Sequence, residues 1–222
     1  MIQWELIGQS FVPIVGTEKN NTMIKNIIFD IGNVLAEFAW KDYYKSFGYE
    51  QEILDRLAKA TTLSPWWNEY DRGVLSDEEV IEGFIANDPQ IEYAIRETLT
   101  RVPGLVKEFA YSVPWVKELK SQGYQVYYLS NFPRTARADC ADNLMFVEYM
   151  DGGIFSYEVK LIKPDAAIYQ CLLERYGLVA EECVFFDDVE KNIIAARNLG
   201  IHGVVFQHKE QAMKELLELT VE

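Results

Sequence analysis

An α/β fold built on a doubly wound parallel sheet is predicted by three observations. Short strand patterns near residues 24–30, 124–130, 183–187 and 203–206 are almost wholly apolar and alternate with helical patterns. Three of them run into polar residues at their carboxyl ends, the edge at which open α/β sheets bind ligands. Between the first two, over about 38–106, the pattern is helical only. Strands this apolar are expected where helices cover both faces of a sheet. A chain of 222 residues is long enough for such a core carrying a smaller inserted domain.

Taken in order, residues 1–22 read as an N-terminal extension. They contain Glu5, lack a basic start and have no long apolar centre, so they do not resemble a secretory signal. Met23 stands directly before the first core strand, so the extension is expected to be nonessential, with an upstream start as its origin. The alternative is an extra strand or arm packed on the core, for which the apolar residues Phe11 to Val15 argue. Core sequence is expected over 23–37 and 107–222, with the helical insertion at 38–106. Within the insertion, Ser64-Pro65 is suited to cap and begin one helix. Ser76-Asp77-Glu78-Glu79 has capping-box spacing for another. Pro114, Trp115, Val116, Leu119 and Gly123 mark the helix that leads back to the core.

Four polar clusters then stand out. The strand Ile27-Ile28-Phe29 ends in Asp30 and turns at Gly32, a way to expose a carboxylate. Val126-Tyr127-Tyr128-Leu129 runs into Ser130-Asn131. Lys163-Pro164-Asp165 precedes a helix expected to reach Tyr176, with Pro164 in its first turn. Val184-Phe185-Phe186 delivers Asp187-Asp188, with Asn192 four residues beyond Asp188. Each cluster alone has an ordinary structural reading. Acids end strands and cap helices, Ser-Asn is a common strand-to-helix cap, and single lysines are usually solvated.

As an ordered set these clusters resemble the four signature motifs of the haloacid dehalogenase superfamily, over residues 24 to 220. The resemblance implies a Rossmann-like core with an all-helical cap that closes over the site and selects substrate. It implies a magnesium-dependent hydrolase of phosphomonoesters, acting on a small phosphorylated metabolite. By the same resemblance Asp30 is the nucleophile, forming an aspartyl-phosphate. Lys163 is a catalytic and phosphate-binding cation, and Ser130 with the amide of Asn131 binds phosphate. Asp30, the Gly32 carbonyl and Asp188 ligate Mg²⁺, with Asp187 and Asn192 in support. The chemistry is coherent, because the phosphate dianion repels nucleophiles until charge is neutralised and the attacking oxygen is held in line.

One position departs from the usual pattern. Most phosphatases of the superfamily carry an aspartate two residues after the nucleophile, where it protonates the leaving group and activates water. Here that residue is Gly32. A bacterial subgroup that includes alpha-D-glucose-1-phosphate phosphatases shares this glycine, which makes a sugar phosphate the first substrate expectation. The phosphatase domain of soluble epoxide hydrolases is also similar but keeps the aspartate. A replacement acid is expected from the cap segment Glu69-Tyr70-Asp71-Arg72, whereas Trp66, Trp67, Tyr43 and Tyr44 read as packing residues. Arg134 is placed either near substrate or on a solvated helix surface. Two other readings remain open: a phosphotransferase or mutase, and a weakly catalytic protein that binds a phosphometabolite.

Composition narrows the partners. A formal net charge of -14 offers no basic stripe for nucleic acid or anionic membrane, and no run is long and apolar enough to span a bilayer. Two histidines, His202 and His208, are too few for a histidine metal cluster. Cys140, Cys171 and Cys183 read as reduced core residues of a cytoplasmic protein. A monomer or homodimer is expected.

Overall fold

The computed structural model describes residues 4–7, 10–13 and 23–220. Trp4–Ile7 (β1) and Ser10–Pro13 (β2) pair antiparallel, and the rest of the extension read over 1–22, Val15 included, lies outside the described residues. The chain continues through Asn26–Phe29 (β3) and Ala36–Phe38 (β4) into five helices. These are Trp40–Lys45 (α1), Gln51–Ala60 (α2), Trp66–Arg72 (α3), Asp77–Asn87 (α4) and Glu92–Leu99 (α5). Val106–Glu108 (β5), Ser112–Ser121 (α6), Gln125–Ser130 (β6) and Arg134–Asp139 (α7) follow. Gly152–Phe155 (β7), Ser156–Val159 (α8) and Ala166–Tyr176 (α9) lead to Cys183–Asp187 (β8). Glu190–Arg197 (α10), His202–Val205 (β9) and Lys209–Thr220 (α11) complete the described chain.

Five strands form a parallel sheet in the order β7-β6-β3-β8-β9. Its strands alternate between two apolar layers. Ile27, Phe29, Val126, Val184 and Phe186 pack with Trp115, Val116 and Leu119 of α6. Ile28, Tyr127, Leu129 and Phe185 pack with Ile168, Tyr169 and Leu172 of α9 and with Ile193 and Ala196 of α10. All of these side chains are buried on both faces, which explains the near-absence of polar alternation. Trp115 seals the first layer, its ring 4.6 Å from that of Phe29. Cys140 and Cys183 are buried, Cys171 is half-buried, and all three are free thiols.

Between β4 and β5 the described residues hold helices and turns only. The two short strands pair antiparallel, Ala36 opposite Glu108 and Phe38 opposite Val106, so the chain leaves and re-enters the core through one ribbon. Ser76 and Glu79 form the expected capping box: Oγ accepts from the Glu79 amide at 3.3 Å, and Glu79 Oε2 accepts from the Ser76 amide at 2.8 Å. The helix expected at Ser64-Pro65 instead starts at Trp66, with Pro65 as its N-cap. Ser64 Oγ is buried without a partner, so it caps nothing. Likewise Pro164 precedes α9 rather than entering its first turn. Asp165 is the N-cap, accepting from the Ala167 amide at 3.0 Å, and capping by an acid places the start after it.

Candidate active site

Three adjacent strands carry the polar residues to one edge. Phe29 of β3 pairs with Tyr128 of β6 on one side and Phe186 of β8 on the other, which sets Asp30 level with Asp187 and one residue short of Ser130. The Asp30 amide extends the ladder by one bond, donating to the Phe186 carbonyl at 2.8 Å. Past it the chain doubles back, with the Leu35 and Ala36 amides both donating to the Ile31 carbonyl at 2.9 Å. This tight turn places Asn33 at φ 56°, a left-handed conformation that asparagine tolerates.

Asp30 is buried, and three donors converge on its Oδ1: the Ile31 amide at 2.7 Å, Ser130 Oγ at 2.7 Å and Lys163 Nζ at 2.8 Å. Its Oδ2 has no partner among the described residues. Burial, opposed by Lys163 and reinforced by Asp187, pushes the carboxyl up to about 7. Between about pH 4 and 7 the folded chain holds a proton that the unfolded chain releases, so ionisation of Asp30 lowers stability as pH rises. Melting temperatures in chelator should therefore fall across this window, and the fall should be smaller in Asp30→Asn.

Lys163 lies 2% exposed between two acids, 2.8 Å from Asp30 Oδ1 and 2.7 Å from Asp187 Oδ2. Burial alone pulls its ammonium down, but the charges of Asp187 and Asp30 outweigh burial and the net direction is up. Its backbone is clamped by Asn131, whose Oδ1 accepts from the Lys163 amide at 2.8 Å and whose Nδ2 donates to the Lys163 carbonyl at 3.0 Å. The Asn131 side chain is thus committed to holding Lys163, and what it has left for an anion is its backbone N–H.

The adjacent acids divide their work. Both oxygens of Asp187 are engaged: Oδ2 with Lys163, Oδ1 with the Val189 amide at 2.8 Å, and both with Asn192 Nδ2 at 3.0 and 3.1 Å. Asp188 is half-buried and accepts from Asn33 Nδ2 at 3.0 Å through Oδ2 alone. Burial is the main reason its carboxyl is raised. Oxygens of Asp30, Asp187 and Asp188 lie within 4.8 Å of one another, and the Gly32 carbonyl accepts no backbone hydrogen bond among the described residues. A donor set made only of hard oxygens, with Asp30 Oδ2 and one oxygen of Asp188 free, fits a small divalent cation such as magnesium.

Asp30, Gly32, Asn33, Ser130, Asn131 and Asp188 open into a cavity of about 220 Å³, whereas Lys163 and Asp187 sit behind its lining. Phe38, Trp67 and Phe132 form apolar walls, and Asp71 of α3 adds a further acid. Trp67 therefore lines the cavity as well as packing on Phe38, ring centroids 5.5 Å apart. Tyr43 and Tyr44 are buried packing residues, their hydroxyls bonded within the helical segment. Arg134 is exposed and does not line the cavity. Asn33 went unnoticed in the sequence, although an Asn after Asp-x-Gly is a turn signal that places an amide beside the strand end.

A family model described as haloacid dehalogenase-like hydrolase matches residues 24–200. The chain is 26% identical over 198 residues to the sesquiterpene phosphatase astK of Aspergillus oryzae, covering 89% of this chain and 96% of that one. It is 33% identical over 112 residues to a phosphorylated carbohydrates phosphatase of Thermotoga maritima, covering 47% of this chain and 51% of that one. Among solved structures, the enzyme bt-2542 of Bacteroides thetaiotaomicron, in complex with magnesium and inorganic phosphate, superposes with a TM-score of 0.64 at 23% identity. That match covers 83% of this chain and 94% of the other.

Proposed function

This chain belongs to the haloacid dehalogenase-like hydrolases, and on that footing we propose that it is a magnesium-dependent phosphomonoesterase acting on a small phosphorylated metabolite. The observation that carries the reading is the Asp30 carboxylate. Ser130 and Lys163 hold one of its oxygens, and the other is free beside Asp188 at a cavity that Gly32 also lines. The phosphatases among its relatives, and a structural neighbour holding magnesium and phosphate, support the same assignment.

In this reading Asp30 attacks phosphorus, the ester oxygen departs and an aspartyl-phosphate forms, which water then cleaves. Lys163 offsets the negative charge of nucleophile and phosphate. Ser130 and the Asn131 backbone N–H bind nonbridging oxygens. Asp30, the Gly32 carbonyl and Asp188 would hold Mg²⁺, which supplies charge neutralisation to the phosphoryl group when bound. Asp187 and Asn192 fix the position of Lys163. Residues 38–106 form the cap over a core of 23–37 and 107–222. The Thermotoga relative makes a sugar phosphate the first substrate to try.

The test is phosphate release from p-nitrophenyl phosphate and glucose 1-phosphate, with magnesium and with chelator. Release that requires magnesium is expected. Magnesium-dependent binding of phosphate without turnover of either ester would instead identify a binding protein.

A further inference from the structure

The position that supplies the acid in most related phosphatases is Gly32, which has no proton to give. An alkoxide cannot leave readily without one, and proton transfer is worth about two to four orders of magnitude in rate. Resting on the phosphatase reading above, we propose that Asp71, on the third helix of the inserted segment, is the catalytic acid and base that replaces it.

Asp71 lines the same cavity as Asp30, Gly32, Ser130 and Asp188. Asp71 is 7% exposed, and its carboxyl makes no hydrogen bond or ion pair among the described residues, Asp30 included. An unpaired carboxyl this deeply buried is costly unless it keeps its proton. Desolvation, with the Asp30 charge adding to it, holds Asp71 well above the usual carboxylate range. Of the remaining cavity acids, Asp188 is tied to Asn33, and Glu37 is exposed to water.

The core fixes where this carboxyl sits. The Asp71 carbonyl accepts from Ser156 Oγ at 2.5 Å, and the Gly73 carbonyl accepts from Lys160 Nζ. Gly73, at φ 64°, lies so close to Tyr157 that a Cβ would stand 2.8 Å from the Tyr157 Cβ. Ser156, Tyr157 and Lys160 all belong to α8 or its C-cap. The end of α3 is therefore pinned to the core directly behind the acid, which is what a proton donor on an inserted segment requires.

The steps balance. As the Asp30 oxygen bonds to phosphorus and the phosphorus–oxygen ester bond breaks, the Asp71 proton passes to the leaving oxygen and the alcohol departs. Asp71, now a carboxylate, takes a proton from the water that attacks the aspartyl-phosphate. The bond between phosphorus and Asp30 breaks, and phosphate leaves with Asp71 protonated again.

Two aryl esters separate this role from a structural one, because p-nitrophenolate leaves without a proton and phenolate is a far poorer leaving group. In Asp71→Asn, kcat/KM for phenyl phosphate should fall about 100-fold or more, and for p-nitrophenyl phosphate less than about tenfold. Slowed breakdown of the phosphoenzyme should appear as a burst of nitrophenolate. An acid restored at residue 32 should rescue the variant. An added Cβ at Gly32 meets nothing within 4 Å, and its φ is not positive. Asp71→Asn/Gly32→Asp should recover phenyl phosphate hydrolysis at least tenfold over Asp71→Asn. Equal losses on both esters without rescue, or no loss, would overturn the assignment while leaving the phosphatase reading intact. No turnover by the wild type would remove both.

Discussion

Asp30→Asn is expected to lower magnesium-dependent phosphate release by about four orders of magnitude or more, the scale seen when a covalent nucleophile is removed. An amide keeps the shape and the acceptor for the Ile31 amide and the Ser130 hydroxyl, so the turn after β3 should stay in place. What is lost is the charge that attacks phosphorus and pairs with Lys163 at 2.8 Å. Lys163 retains Asp187 at 2.7 Å, so the ammonium is not abandoned in the interior. Above pH 7 the variant should be as stable as the wild type or more so, because wild-type Asp30 ionises in this pH range against the cost of burial. Mass spectrometry after brief reaction should show one phosphoryl group on a peptide containing residue 30 in the wild type and none in the variant. Activity within tenfold of wild type would show that another group makes the bond.

The central sheet was legible because four of its strands are continuous apolar runs, and the polar residues ending them were legible because strand ends in a parallel sheet share one edge. Two features were not. The edge strand β7 begins Gly152-Gly153, residues that ordinarily weaken a strand. Gly153 is there because a Cβ would overlap Tyr128 of the neighbouring strand, a reason that exists only once the two are paired. The ribbon of β4 and β5 joins residues about 70 positions apart through three pairs, too short to show a period of two. At the site, the sequence grouped Asn131 with the phosphate binders, whereas its side chain clamps the Lys163 backbone from 32 residues away. No local pattern encodes such a bond. Asp71 was one of four polar residues at 69–72, and only burial and the shared cavity single it out.

The second large effect is expected at Lys163, where function and stability meet. Lys163→Met should abolish phosphate release and also destabilise the fold by about 3–5 kcal/mol, because two buried acids lose the cation between them. Asp187 bears most of this cost. It is fully buried, and after the substitution only the Val189 amide and Asn192 remain to stabilise its charge. Asp30 has a way out, since its raised carboxyl can take up a proton near neutral pH. The loss should therefore grow as pH rises, and chemical denaturation at pH 6 and pH 8 reads the difference. Lys163→Met/Asp187→Asn should recover a large part of the stability, because removing both charges avoids the unpaired one. It should recover none of the activity, since the cation beside the nucleophile is still missing. A single variant as stable as wild type would show that the pair contributes nothing to folding. A double variant that regained turnover would show that Lys163 serves only to neutralise Asp187.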